Sequence, residues 1–252
     1  MNALKCRTAA TVFAFGILVL AATVSTVVQA QAPAVDPAAT RTLKRMTDYL
    51  GGLQKFSVHT RNTLEDELES GHRIDIDVSA SVLVSRPNKL FAERKGDLID
   101  QMFYYNGKTL TLYNPNDNVY ATESAPGTIE ETLDFARESL GLTVPVADLV
   151  YRNAFPLLMQ DVNLAVVVGK AVIGGVECDH LLFSRPGVDF QVWVADSGNP
   201  LPYKYVVTDT GTPARLSISS VMSDWNVAPT TTDSRFSFVP PPGTKQITFL
   251  PL

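Results

Sequence analysis

Cys178-Asp179-His180 is the one place where a thiol and an imidazole stand two residues apart. A nucleophilic cysteine needs a base within hydrogen-bond reach and a third group to orient that base. On a strand, Cys178 and His180 would share a face roughly 7 Å apart, too far for proton transfer. The pair therefore reads as a buried thiol beside a half-exposed ring. Asp75 and Asp77, with Glu65, Glu67 and Glu69, offer carboxylates for acid–base work or Ca²⁺. Their alternation with apolar residues makes them the solvated side of a strand instead. Asn114-Pro115-Asn116-Asp117-Asn118 begins like a calcium loop but lacks the glycine and glutamate that such a loop requires, so it reads as a turn. His59, His72 and His180 have no paired metal spacing. No Gly-x-Ser-x-Gly, phosphate loop or dinucleotide fingerprint is present. Trp193 and Trp225 read as packing residues. These patterns point to a chain without catalysis, metal or cofactor.

The elements that carry these residues follow an export segment. Lys5 and Arg7 precede an uncharged apolar run from Thr8 to Val28, and Val28-Gln29-Ala30 is a small-x-small ending. Residues 1–30 are read as a cleaved signal peptide and 31–252 as one domain. The competing reading is an uncleaved anchor, since the run could just span a bilayer. Cleavage leaves Cys178 as the single cysteine, so the fold must hold through apolar burial without an internal disulfide. Hydrophobic residues make up 45% and charged residues 19%, a globular composition rather than a disordered one. The net charge of −5 becomes more negative once Lys5 and Arg7 are gone, which disfavours binding to nucleic acid.

Asp36-Pro37 starts a helix, Leu43, Met46 and Leu50 form its apolar stripe, and Gly51-Gly52 ends it. The period then changes to two. Ile74, Ile76, Val78, Ala80, Val82 and Val84 alternate with Arg73, Asp75, Asp77, Ser79, Ser81 and Ser85, a long half-buried strand. Further strands are expected at 89–95, 98–105, 108–113 and 118–122. Asn106-Gly107 marks a hairpin, with Tyr105 facing Lys108 and Phe103 facing Leu110. Thr128 and Glu131 form a capping box for a helix with Ile129, Leu133, Ala136 and Leu140 on one stripe, closed by Gly141. A second helix is expected from Thr143-Pro145 through Leu149 and Tyr151, kinked or ended at Pro156. Strands resume at 164–173, 176–183, 188–195, 203–208, 214–222 and around Phe236–Val239, with tight turns that imply an antiparallel meander. The order predicts an α+β fold, one large antiparallel sheet with helices gathered on one face.

Arg86-Pro87-Asn88-Lys89-Leu90-Phe91, the run from Asn106-Gly107-Lys108 through Tyr113-Asn114-Pro115, and the closing Phe236-Ser237-Phe238-Val239-Pro240 with Gly243 carry a family resemblance. Together with the export signal and the helical insert, they resemble the LolA/LolB-like periplasmic lipoprotein-carrier superfamily over residues 36–250. The chain is most similar to an uncharacterised branch described as a predicted periplasmic domain of unknown function. The resemblance implies an open, curved half-barrel of ten or eleven antiparallel strands with helices across its concave face. It also implies a greasy cavity, lipid or lipoprotein acyl chains as cargo, and a membrane-associated handover partner.

The residues placed around such a cavity are Ile74, Ile76, Val78, Val82, Val84, Phe103, Leu110 and Leu112 on the sheet. Leu133, Leu140, Phe155, Leu158 and Met159 are placed there from the helices. Their apolar surface either interlocks fully, as protein interiors usually do, or leaves a void. The reading taken is a monomeric soluble periplasmic carrier that shelters an apolar ligand. The alternative is an envelope-sensing or protein-binding module that uses the same face, or an exposed strand edge, for unfolded or outer-membrane polypeptides.

Overall fold

The computed structural model describes residues 34–142 and 146–249. The signal-peptide reading and the helix start at Thr143-Pro145 lie outside these described residues. Helix α1 (Pro37–Gly52) begins where Asp36 Oδ1 accepts the Ala38 N–H at 2.7 Å. Ala39, Leu43, Met46 and Leu50 are buried, whereas Lys44 and Asp48 pair on the exposed side at 2.7 Å. The helix ends at the glycine pair, and Gly51 is there for a second reason. The Arg152 carbonyl oxygen occupies the place a Cβ would take.

Two long strands follow, β1 (Lys55–Glu67) and β2 (Arg73–Ser85), in a register that sets Phe56 opposite Val84 and Asn62 opposite Val78. The meander continues through β3 (Lys89–Gly96), β4 (Asp100–Tyr105), β5 (Thr109–Asn114) and β6 (Val119–Ser124). Then come α2 (Ile129–Leu140), a 3-10 turn at Ala147–Leu149, and α3 (Ala154–Met159). A second meander runs through β7 (Leu164–Ile173), β8 (Val176–Arg185), β9 (Val188–Ala195), β10 (Pro202–Asp209) and β11 (Ser217–Asn226). A 3-10 turn at Asp233–Phe236 leads to β12 (Lys245–Ile247).

All twelve described strands belong to one sheet, ordered β12-β6-β5-β4-β3-β2-β1-β11-β10-β9-β8-β7. Antiparallel pairing of β1 with β11 joins the two meanders, and only β12 with β6 is parallel. The end strands β12 and β7 do not pair, so the sheet is unclosed. The predicted α+β class and open antiparallel sheet are what the structure shows, with twelve strands in place of ten or eleven.

Register assigns the two faces. Phe56, Val58, Val82, Val84, Leu90, Phe103, Tyr105 and Leu110 point inward, as do Leu181, Phe183, Phe190, Val192 and Tyr205. Two apolar clusters cover this inner face. One joins α1 and α3 to β7–β10, and the other joins α2 to β2–β5. Between the meanders the capping box holds α2, with Thr128 Oγ1 accepting the Glu131 N–H at 3.3 Å and Gly141 left-handed at the other end.

Four local expectations are corrected. Tyr105 faces Leu110, and Phe103 faces Leu112, because Asn106 Oδ1 accepts from both Lys108 N and Thr109 N and lengthens the turn. The inward placement of Phe103, Leu110 and Leu112 is unchanged by the shift. Pro156 does not kink a helix but sits in the first turn of α3, where its missing N–H costs nothing. β11 starts at Ser217, after Arg215 takes a positive φ of 51°. Phe236–Val239 is a strap on the outer face, not a strand. Phe238 rests on the rings of Tyr104, Tyr113 and Tyr120 with centroids 5.4, 5.0 and 5.0 Å away, so aromatic contact replaces ladder pairing.

Candidate functional site

Leu53, Val82, Tyr151 and Trp225 pack against both apolar clusters. Two neighbouring clefts, of about 40 and 30 Å³, open on the inner face. Thr60 and Asn62 of β1, Val78, Ala80 and Val82 of β2, and Ile99 and Val146 line the first. Leu90 of β3, Gln101 and Phe103 of β4, Leu112 of β5 and Leu142 line the second. Ala92 and Arg94 of β3 border both. The room exists because alanines stand at 80 and 92, where larger side chains occupy the neighbouring inward positions.

Arg94 Nη2 donates to Gln101 Oε1 at 2.5 Å, and burial lowers the guanidinium pKa. Nearer the helices, Arg86 fastens the covering elements to the sheet. Its side chain is 1% exposed. It donates from Nε to the Leu53 carbonyl at 3.1 Å, from Nη1 to Glu130 Oε1 at 3.2 Å and from Nη2 to the Val150 carbonyl at 2.6 Å. Desolvation is the main cause of its lowered pKa, and Glu130 opposes it.

Of the side chains expected around a cavity, Val78, Val82, Phe103 and Leu112 border the clefts. Val84, Leu110 and Leu133 are packed inside the cluster under α2, with Leu140 at its margin. Leu158, with Phe155 and Met159 partly buried beside it, belongs to the cluster under α1. Ile74 and Ile76 lie toward the open end of β2 and belong to neither cluster. The sequence reading does not place Thr60, Asn62, Ala80, Ala92, Arg94 or Arg86 around the cavity, although Ala80 stands in its inward alternation and Arg86 in its family motif. The available signal was polar residues in the inward phase of β1 and β3, where Thr60, Asn62 and Arg94 continue apolar alternations.

The sequence's candidate chemistry falls elsewhere. Cys178 is fully buried, with its thiol donating to the Val176 carbonyl at 3.5 Å. His180 stacks on Trp193 at 4.0 Å, and its Nε2 meets Gln191 Oε1 at 2.8 Å. Burial, with Asp196 and Asp179 nearby, pushes the thiol pKa up to about 11. Ellman's reagent is therefore expected to label Cys178 on the order of a hundredfold more slowly in the native protein than in denaturant at pH 8. Equal rates would contradict this environment.

Asp77 accepts from Thr63 Oγ1 at 2.7 Å, and Glu65 accepts the Ser217 N–H at 2.7 Å. Asn114 Oδ1 accepts from the amides of Asn116 and Asp117, forming the expected turn. His59, His72 and His180 each have a different partner, Ser81, Ser70 and Gln191. Among the described residues, no group of three or more His, Cys, Asp or Glu side chains is arranged to hold a metal. No described helix is long and apolar enough to cross a membrane.

The sequence model of one protein family, described as "Predicted periplasmic protein (DUF2092)", matches residues 39–250. No curated protein matches the chain. Similar solved structures include LprF from Mycobacterium bovis, 14% identical, with 79% of this chain and 97% of that one covered at a TM-score of 0.48. Lipoprotein LppX from Mycobacterium tuberculosis is 17% identical, with coverage of 78% and 98% and a TM-score of 0.45. A LolA superfamily protein from Nitrosomonas europaea is 12% identical, with coverage of 79% and 97% and a TM-score of 0.39.

Proposed function

The chain belongs to the DUF2092 family of predicted periplasmic proteins, and on that premise we propose that it is a non-catalytic periplasmic binding or carrier protein for the apolar chain of a lipid or lipoprotein. The observation that carries this reading is the pair of clefts meeting at Ala92 and Arg94 on the inner face. A water needs roughly 10–15 Å³ of such room, so each cleft has space for about two to four waters. An acyl chain requires the helical cover to shift. Each methylene removed from water returns about 0.8 kcal/mol, which offsets that shift, and handover to a partner reverses it.

Residues 1–30 are proposed to be removed on export. Native mass spectrometry of protein purified gently from its own periplasm tests both proposals. The expected spectrum shows a chain beginning at Gln31 with co-purifying lipid. A lipid-free chain that also fails to take up a fluorescent fatty acid would refute the carrier reading.

A second reading rests on β7. This edge strand exposes Val167 at 40%, Val168 at 53% and Val172 at 64%. Ala34 and Asp36 bond the edge at Ala165, and beyond it the three valines lie on a stretch of edge that suits an extended polypeptide. Capture of unfolded outer-membrane segments that lipid does not compete away would favour it.

A further inference from the structure

The second cleft does not end at β5. Gln101 and Leu112, which line it, also line a groove of about 430 Å³. Ala121 of β6, Leu140 at the end of α2 and Ile247 of β12 form apolar walls of that groove. Small-molecule sites run from roughly 300 to 1,000 Å³, a range that the groove reaches and the two clefts do not.

Strand register explains why cleft and groove adjoin. Val82, Ala92, Phe103, Leu112, Ala121 and Ile247 are successive direct partners from β2 to β12. Direct partners project from the same face, so the six side chains form one row across the strands. Val82, Ala92 and Phe103 border the clefts, Leu112 stands where cleft and groove join, and Ala121 and Ile247 border the groove. Five interstrand steps of about 4.8 Å give the row a span of about 24 Å. An extended hydrocarbon advances about 1.25 Å per carbon, so about 19 carbons match that span. The part from Val82 to Phe103 is two steps, about 10 Å, enough for about 8 carbons.

The groove end of the row is also where apolar surface is left in water. Ile247 is 49% exposed. Among the described residues that line the groove, Asp117 is the only charged one, so no cation there attracts an anionic head. We propose that the clefts and this groove are one site that selects long acyl chains, with about 8 carbons over the clefts and the rest of the hydrocarbon along Leu112, Ala121 and Ile247. The proposal rests on the carrier reading and adds the length of chain that the protein takes.

The test uses protein purified from the periplasm and stripped of lipid. Octanoate and hexadecanoate, each below its micelle concentration, are compared by displacement of a fluorescent acyl probe. Hexadecanoate is expected to bind at least about a hundredfold more tightly, because the methylenes beyond the clefts leave water in the groove. Ala121→Phe narrows the groove midway along the row and should cut that ratio to about tenfold or less, while octanoate binds as before. Ile247→Asp places a charge at the half-exposed wall and keeps the comparison available if Ala121→Phe does not fold. A ratio near one in the unaltered protein would overturn the proposal, since the groove then adds nothing to the clefts. A large ratio that neither folded variant reduces would also overturn it. Failure of both acids to bind would instead remove the carrier reading, and the length selectivity with it.

Discussion

Arg86→Met is expected to lower the unfolding free energy by about 3 kcal/mol, read from urea denaturation followed by tryptophan fluorescence. The guanidinium is buried and supplies hydrogen bonds to two carbonyls and a carboxylate drawn from three separate segments. Methionine fills much of the same space but donates nothing. Leu53 and Val150 then keep buried carbonyl oxygens without that donor, and Glu130 keeps a charge in a partly desolvated place. Glu130→Gln should cost only about 1 kcal/mol. Its Oε1 can still accept from Arg86 and from the Arg152 N–H, now 2.9 Å away. The double substitution should cost less than the two single effects added together, because both remove the same pair. A loss of under about 0.5 kcal/mol for Arg86→Met would mean that the covering segments do not depend on this residue.

Much of the frame was legible because the signals are local. The alternation from Ile74 to Val84 identified β2 and its inward side, and the Asp36 and Thr128 caps marked the starts of α1 and α2. What escaped depends on contacts distant in the chain. Pairing of Asn62 with Ser220 across β1 and β11 joins residues that no turn brings together, so nothing in their neighbourhoods announces it. β12 is a triplet whose ladder partner, β6, is set by the path of the strap before it. Arg86 follows a strand alternation, but its acceptors come from the cap that closes α1, from α2 and from the turn after it, so its role emerges only once these elements converge. The clefts escaped for a different reason. A search for greasy residues selects large side chains, and those fill space. The space itself is left by Ala80 and Ala92.

That distinction yields the second large effect. Ala92→Phe is expected to weaken fatty-acid binding at least tenfold, measured by displacement of a fluorescent acyl probe, while the protein remains folded. Ala92 points inward from β3, opposite Val82 on one side and Phe103 on the other, and is 8% exposed. Because it borders both clefts, one added ring reaches into the room on either side of it. Filling existing apolar space spares the overpacking that enlargement usually brings to a dense core, so a large stability loss is not expected. Leu133→Phe is the control. Leu133 is 5% exposed under α2 and borders neither cleft, so enlargement there should strain the core by about 1–3 kcal/mol. Binding would change little per folded molecule, because the room beside Ala92 is untouched. Unchanged probe affinity in folded Ala92→Phe would place the ligand elsewhere. The exposed β7 edge, where polypeptide and not lipid is the fitting partner, would then become the surface to follow.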